Sequence, residues 1–348
     1  MLQTSLNTVN PCKLFPKSNS AGPRVHSTRR TPEALSTSTR TSSVPTSQGT
    51  FPRTPARLTG RHQKAFSRGR LPVCAAASEG GGSEEALPLM AAPESKVQFL
   101  NTTRHQLVGT FTDAKSDKVA ILCHGYAGSK DGFVYPKMAK ALAAKKISSL
   151  RFDFTGNGES DGAFEFGNYL QEVADLRCAV QYVRESLRKT PIALVGHSKG
   201  ANDVLLYASQ YDDVPLVINI AARFDMKRGI KERFGEEVLA KVQKLGQVPM
   251  TVKNDSGQTV KWLLTKKALE ERMSIDMEAA AKKISLSEVL TVHGKADATI
   301  PYQDAEAFSR TIRQHMLWPL DGADHFFSQQ AHADQMIRKV SEYISQMA

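Results

Sequence analysis

From Lys96 onward, the chain alternates short, continuous apolar runs with longer stretches of helical periodicity. Continuous apolar runs are typical of strands that lie buried on both faces, as in parallel sheets. Strands that alternate with helices of this size predict a mostly parallel sheet with helices on both faces. Two opening strands, predicted to be antiparallel, bring the sheet to eight: KVQFLN, HQLVGTFTD, KVAILCHG, SSLRFDF, PIALVGH, VPLVINIAAR, EVLTVHG and HMLWPL.

The alternation breaks at residues 225–285, which are more charged and lack a buried-strand run. An amphipathic helix is predicted over RGIKERFGEEVLAKVQKL, and a hairpin over MTVKNDSGQTVKWLL, with its turn at residues 254–257. We interpret residues 225–285 as a small insertion that covers the strand ends, and we call it the lid.

The net charge of +11 comes wholly from the N-terminal segment. Residues 1–76 hold twelve basic side chains and one acid, so the rest of the chain balances with 34 of each sign. A balanced body offers no electrostatic footprint for nucleic acid, and nucleic acid is therefore not an expected partner. No segment approaches the roughly 20 apolar residues of a membrane helix, so no transmembrane segment is expected.

Residues 1–76 are also rich in Ser, Thr and Pro and contain no compact apolar stretch. An Arg-rich, Ser-rich and acid-poor segment is typical of an organellar transit peptide, and its end at LPVCAAASEG favours cleavage near Ala75 in a plastid. A mitochondrial address and a basic tail of no address are the alternatives. Residues 77–95 are predicted to be a Gly/Ser/Pro linker, which leaves 96–348 as the folded domain. Cys123 and Cys178, in apolar contexts, are expected to be buried free thiols.

The stretch ALVGHSKGAN joins a predicted strand to a predicted helix, and Ser198 stands between Gly196 and Gly200. A sharp strand-to-helix turn has no room for large side chains two positions either side of the serine. Such a turn strains the backbone and lifts the hydroxyl clear of the sheet, at a helix start that favours negative charge. We therefore predict that Ser198 is a nucleophile.

A nucleophilic serine needs a histidine base and an acid that orients it, and with this motif the acid precedes the histidine. Asp297 follows the strand EVLTVHG, in the loop before the last strand, and is preferred to Asp225, which we expect to begin the lid. His325 directly follows the last strand. His124, His197 and His293 lie in strand-end motifs where packing accounts for them. The predicted catalytic residues are thus Ser198, Asp297 and His325.

The oxyanion hole is expected to use the backbone N–H of Lys199, directly after the nucleophile, and that of Tyr126, in the loop after KVAILCHG. The Tyr126 side chain is expected to line the acyl pocket, and the Lys199 side chain to be solvated. The Gly-rich turn DFTGNGESDG lacks the endings of the phosphate-binding motifs, so we expect Asp153 and Ser160 there to satisfy loop backbone groups. No cofactor and no metal site are predicted.

HGYAGSKDG, LRFDFTGNGESDG, GHSKG, HGKADATIP and GADH occur in this order. Together they resemble the α/β-hydrolase superfamily, in its branch of feruloyl/cinnamoyl esterase-like and serine aminopeptidase-like hydrolases, and are most similar to plant plastid members. Ala201 replaces the second glycine that many relatives carry after the motif. The resemblance covers about 96–348 and implies the triad, oxyanion hole and lid named above.

The resemblance also implies hydrolysis of small-molecule carboxylic esters of small or medium acyl or aryl groups through an acyl-enzyme. A thioesterase, lipase or acyltransferase on the same triad is an alternative. An aminopeptidase is disfavoured because the lid offers no acidic pair placed for a substrate ammonium. A slow or non-catalytic ligand receptor on the same scaffold is an alternative of another class. The oligomeric state is not predicted.

Overall fold

A computed structural model of the protein describes residues 92–347, and the predicted transit peptide and most of the predicted linker lie outside these residues. Eight strands form one sheet: β1 (Glu94–Leu100), β2 (Gln106–Thr112), β3 (Lys118–Cys123), β4 (Ser148–Phe152), β5 (Thr190–His197), β6 (Leu216–Ile220), β9 (Glu288–Gly294) and β10 (His315–Leu320). Strand β1 begins two residues before the predicted boundary at Lys96.

The order of strands in this sheet is β1-β2-β4-β3-β5-β6-β9-β10. Strand β2 is antiparallel to both of its neighbours, and the remaining pairs are all parallel. The predicted eight-stranded, mostly parallel sheet is confirmed. The carboxyl ends of the parallel strands therefore meet at one edge, which is where open α/β sheets bind ligands.

Helices cover both faces of the sheet. They are α1 (Tyr135–Ala144), α2 (Tyr169–Gln181, continued by a π-helical turn over Tyr182–Ser186), α3 (Lys199–Tyr211), α7 (Tyr302–Thr311) and α8 (Gln330–Met347), together with the lid helix α6 (Met277–Lys283). Alternate residues of a strand point to opposite faces, so Ile121 packs with α2, α3, α6 and α7, while Ala120 and Leu122 pack with α1 and α8. None of the helices within residues 92–347 is long and apolar enough to cross a membrane.

The lid follows β6 and contains three helices and two strands. They are the helix α4 (Ile230–Leu245), which is interrupted at Gly235, the hairpin β7 (Gln247–Lys253) and β8 (Thr259–Thr265), and the helices α5 (Lys266–Ser274) and α6. Trp262 of the hairpin and Phe234 of α4 pack with Phe164 and Phe166, which follow β4. This aromatic cluster attaches the lid to the strand ends, because burying such rings stabilises a contact by about 1.5–3 kcal/mol each.

Candidate active site

The turn from β5 into α3 positions Ser198, and we call residues 196–200 the elbow. Ser198 has φ 57° and ψ −117°, a conformation that costs a residue with a Cβ atom about 1–3 kcal/mol. A Cβ atom on Gly196 would lie 2.1 Å from the Gly200 carbonyl oxygen, and one on Gly200 would lie 2.4 Å from the His124 carbonyl oxygen. The turn from β5 into α3 therefore requires glycine at both positions, as the motif predicts.

His325, in the loop after β10, joins the other two predicted residues. Its Nε2 lies 2.9 Å from the Ser198 hydroxyl oxygen, and its Nδ1 lies 2.7 Å from Oδ2 of Asp297. A carboxylate only accepts hydrogen bonds, so Nδ1 carries the proton and Nε2 presents its lone pair to the hydroxyl. This is the tautomer that a general base for Ser198 needs.

Asp297, in the loop after β9, is held as a charged carboxylate. Its Oδ1 accepts hydrogen bonds from the backbone N–H groups of Thr299 (2.8 Å) and Ile300 (2.7 Å). Burial alone would raise the pKa of Asp297, but hydrogen bonds from His293 and His325 outweigh it and hold that pKa well below its usual range. The negative charge facing His325 stabilises an imidazolium cation.

His293 helps to stabilise the charged form of Asp297, although its position in the sequence indicates packing alone. Its Nε2 lies 3.3 Å from Oδ2 of Asp297 and 2.9 Å from the Ile300 carbonyl oxygen. His197 supports the base instead: its Nε2–H donates to the His325 carbonyl oxygen at 2.8 Å, and its ring stacks on Phe133. Burial lowers the pKa of His197 to about 3, so the ring is neutral.

The two predicted oxyanion donors, the N–H groups of Tyr126 and Lys199, belong to two chain segments that meet at Ser198. A Cβ atom on Gly125 would be 3.2 Å from Cβ of Ser198 and 3.7 Å from the Lys199 nitrogen, so the loop after β3 abuts the elbow. Within residues 92–347, the N–H groups of Tyr126 and Lys199 donate to no other backbone group. Two N–H groups beside one hydroxyl are the arrangement that binds an oxyanion.

The side chain of Lys199 is buried, so the expectation that it is solvated is wrong. Its Nζ lies 2.8 Å from Oε1 of Glu172 on α2 and 4.9 Å from the centre of the Tyr169 ring. Asp203, one helical turn further along α3, is buried beside the pair, and burial, followed by the charge of Glu172, raises its pKa well above the usual range. An elbow residue, Lys199, therefore forms a buried ion pair with α2 that the sequence pattern does not reveal.

Other predicted side chains lie as expected. Asp153 accepts hydrogen bonds from the backbone N–H groups of Lys130 and Glu159, and Ser160 accepts one from that of Val108. Cys123 and Cys178 are both buried, and neither takes part in a disulfide. Within residues 92–347, no three His, Cys, Asp or Glu side chains cluster so that they could hold a metal ion.

Two cavities meet at Ser198 beneath the lid. The first, of about 270 Å³, we call the arginine cavity; its lining includes Tyr126, Phe166, Tyr169, Arg223, Arg233 and Arg272. The second, of about 650 Å³, we call the histidine cavity; its lining includes His325, Phe133, Phe326 and Phe327. Tyr126 lines both cavities, and no motif in the sequence marks the three arginines.

The strand order and the position of the elbow give this chain the fold of the α/β hydrolases. Residues 114–276 match the family described as serine aminopeptidase, S33. The uncharacterised protein YfhR of Salmonella typhimurium is 27% identical over 230 residues, which are 64% of this chain and 70% of that protein.

Solved structures share the fold at low identity. Est1E from Butyrivibrio proteoclasticus, with ferulic acid bound, superposes with a TM-score of 0.57 at 21% identity, over 72% of this chain and 98% of its own. The α/β hydrolase GrgF from Penicillium sp. sh18 has a TM-score of 0.60 at 20% identity, over 73% of this chain and 99% of its own.

Proposed function

We propose that this chain is a serine hydrolase that cleaves carboxylic esters of small or medium acyl or aryl groups through an acyl-enzyme. One observation carries the proposal: Asp297, His325 and Ser198 form a continuous hydrogen-bonded relay, with separations of 2.7 and 2.9 Å. Both cavities open onto the hydroxyl at the end of this relay. Esterases among the structures of the same fold support an ester as the substrate.

In the proposed reaction, His325 Nε2 takes the Ser198 proton as the hydroxyl oxygen attacks the ester carbonyl. Asp297 stabilises the resulting imidazolium, and the N–H groups of Tyr126 and Lys199 bind the oxyanion. His325 then gives the proton to the departing alkoxide, which leaves as the alcohol. A water molecule, deprotonated by His325, attacks the acyl-enzyme, and His325 then returns the proton to the departing Ser198 oxygen. This step releases the carboxylic acid and restores the Ser198 hydroxyl.

The charge of the site favours ester hydrolysis over the removal of N-terminal residues from peptides. Glu232 is the only carboxylate among the residues that line the arginine cavity, and three arginines line it as well. A substrate ammonium would meet a net positive charge there, which disfavours its binding.

Ser198→Ala tests the proposal directly. We expect kcat/KM for p-nitrophenyl butyrate to fall by at least about 10³-fold with an unchanged circular dichroism spectrum, because the nucleophile is lost. Ser309→Ala is the matched control, since Ser309 lies on α7 and bonds only the Glu306 carbonyl oxygen. Wild-type protein should also react with a fluorophosphonate probe. Turnover that survives in Ser198→Ala would exclude Ser198 as the nucleophile, and an unlabelled wild type that binds a small molecule tightly would favour a receptor.

We also propose that residues 1–76 direct the chain into a plastid, with the mitochondrion as the alternative. The support is their twelve basic residues, single acid and high Ser and Thr content. Residues 1–76 fused to a fluorescent protein should carry it into chloroplasts of leaf cells, and the same fusion with its arginines changed to glutamine should not. Fluorescence of the first fusion in mitochondria would correct the address.

A further inference from the structure

The arginine cavity holds an excess of positive charge beside the nucleophile. Arg223, Arg233 and Arg272 line it, and Glu232 is the one acid that faces it. Lys199 also contributes to the lining, but Glu172 neutralises it. None of the three arginines forms an ion pair with a carboxylate in the described part of the chain, although Arg228 close by pairs with Asp225 and Asp304.

Arg223 is a buried arginine, since only 8% of it is exposed, and it has no ion-pair partner within residues 92–347. Its Nη2 donates to the Thr299 carbonyl oxygen at 2.6 Å. The nearby carboxylate of Asp304 is already engaged by Arg228 at 2.5 Å and by the Phe224 N–H. Burial and then the positive charge of Arg272 lower the pKa of Arg223, because both make its charged form less favourable.

Arg272 is equally buried and equally without a counter-charge. Its three nitrogens donate to neutral groups: the Met226 carbonyl oxygen at 3.0 Å, the Tyr169 hydroxyl at 3.2 Å and the Arg228 carbonyl oxygen at 2.9 Å. These bonds fix the guanidinium in place and leave its charge uncompensated. A buried charge without a partner is destabilising, and an anion in the cavity would offset that destabilisation.

The position of the base indicates which part of an ester lies in this cavity. His325 must reach the departing alkoxide, so the leaving alcohol lies on its side of Ser198. His325 lines the histidine cavity and not the arginine cavity. The acyl group therefore points into the arginine cavity, which at about 270 Å³ has room for a short chain.

From this arrangement we infer that the acyl group of the substrate ends in a carboxylate. Arg223 binds this carboxylate, and the positive charges of Arg272 and Arg233 strengthen the attraction. The planar fork of a guanidinium matches a carboxylate and can bind it through two parallel hydrogen bonds. The substrates are then monoesters of short dicarboxylic acids, and hydrolysis releases the diacid and an alcohol. This inference rests on the proposed function and narrows it.

The test compares two substrates with the same acyl chain and leaving group. Mono-p-nitrophenyl glutarate carries the free carboxylate, and p-nitrophenyl methyl glutarate has it capped as a neutral ester. After subtraction of spontaneous hydrolysis, we expect wild-type kcat/KM to be at least tenfold higher for the charged substrate. We expect Arg223→Gln to lower that ratio at least tenfold, Arg223→Lys to restore part of it, and Arg310→Gln, on the exposed end of α7, to leave it unchanged.

A wild-type ratio at or below one would overturn the inference, as would an Arg223→Gln ratio equal to that of wild type. Arg223→Gln could also lose both activities by disturbing the loop of Thr299. Arg233→Gln, on the exposed face of α4, then serves as the second variant and should lower the ratio severalfold. Calorimetric binding of glutarate to Ser198→Ala separates the two proposals: binding that Arg223→Gln weakens at least tenfold supports the anion site even if no ester is cleaved, and absent binding rejects it.

Discussion

The carboxylate of Asp255, at the tip of the lid hairpin, accepts a hydrogen bond from the Ser129 backbone N–H at 2.8 Å. Ser129 belongs to the loop after β3 that also carries Tyr126, a proposed oxyanion donor. Gly132 leaves room for this contact, since a Cβ atom there would lie 1.6 Å from Oδ2 of Asp255. The Ser129 hydroxyl lies 3.4 Å from the same carboxylate oxygen, so hydrogen bonds to one charged group join the lid to the loop that completes the site, in addition to the aromatic cluster around Trp262.

Asp255→Ala should loosen this junction. Losing a hydrogen bond to a charged group at an exposed position costs about 1.5 kcal/mol, so we expect KM for p-nitrophenyl butyrate to rise about two- to tenfold. Thermal stability should change little, because the core of the sheet is not involved. Asp276→Ala, which removes the cap of α6 elsewhere in the lid, is the matched control. Equal KM values for the two variants would show that the junction does not shape the site.

Asp297→Asn should lower kcat by about 10³–10⁴-fold, because an amide no longer fixes the His325 tautomer or stabilises its cation. The backbone N–H groups of Thr299 and Ile300 can still donate to the amide oxygen, so the fold should survive. Asp225→Asn is the control, since Asp225 is half-exposed and contacts only Lys227 and Arg228. Comparable losses in both variants would reject the assignment of Asp297 as the orienting acid.

Lys199→Met should destabilise the protein by about 3–5 kcal/mol, because it leaves the buried carboxylate of Glu172 without its cation. The double variant Lys199→Met/Glu172→Leu should recover most of that loss. Urea denaturation followed by fluorescence measures both. Lys241→Met breaks the exposed pair with Glu237 and should leave the free energy of unfolding almost unchanged, because water screens that pair. A similar result for Lys199→Met would mean that water reaches the pair.

His197 should make stability depend on pH below neutrality. Its pKa is lowered to about 3 in the folded protein, whereas an unfolded histidine titrates near 6.5. Between these values the unfolded chain binds a proton that the folded chain excludes, so the free energy of unfolding falls as pH falls. His197 contributes at most about 1.4 kcal/mol per pH unit to this slope of the free energy of unfolding against pH.

His197→Phe should remove that share of the slope, at the cost of the hydrogen bond to the His325 carbonyl. Urea midpoints at several pH values from 7.5 to 4 measure it, with His105→Phe, in the turn between β1 and β2, as control. A slope that is the same in both variants would show that His197 does not carry the effect.

Sequence reasoning located the strand-end residues because each follows an apolar run of the sheet. Ser198, Asp297 and His325 come after β5, β9 and β10, and the parallel arrangement brings those ends together regardless of the details of packing. The hairpin turn at residues 254–257 was equally accessible, since Asn, Asp, Ser and Gly in succession favour a turn. All of these depend on short-range chemistry.

The features that sequence reasoning missed depend on long-range partners. Lys199 looks like an exposed residue at a helix start until α2 brings Glu172 over it. Arg223 and Arg272 are 49 positions apart, and most of their side-chain hydrogen bonds go to backbone carbonyls, which no side-chain pattern reveals. The position of His293 in the sequence indicates packing alone. Its contact with Asp297 depends on how the loop after β9 folds back, which the sequence pattern does not show.

The backbone of Ser198 bears on which residue stability alone would select there. Its angles are close to the mirror image of an extended conformation, which glycine adopts freely and other residues avoid. Ser198→Gly should therefore unfold at higher urea than Ser198→Ala, which retains the strain. Serine at position 198 therefore gives a lower free energy of unfolding than glycine would. A lineage that no longer needed the hydroxyl would gain stability by replacing the serine with glycine.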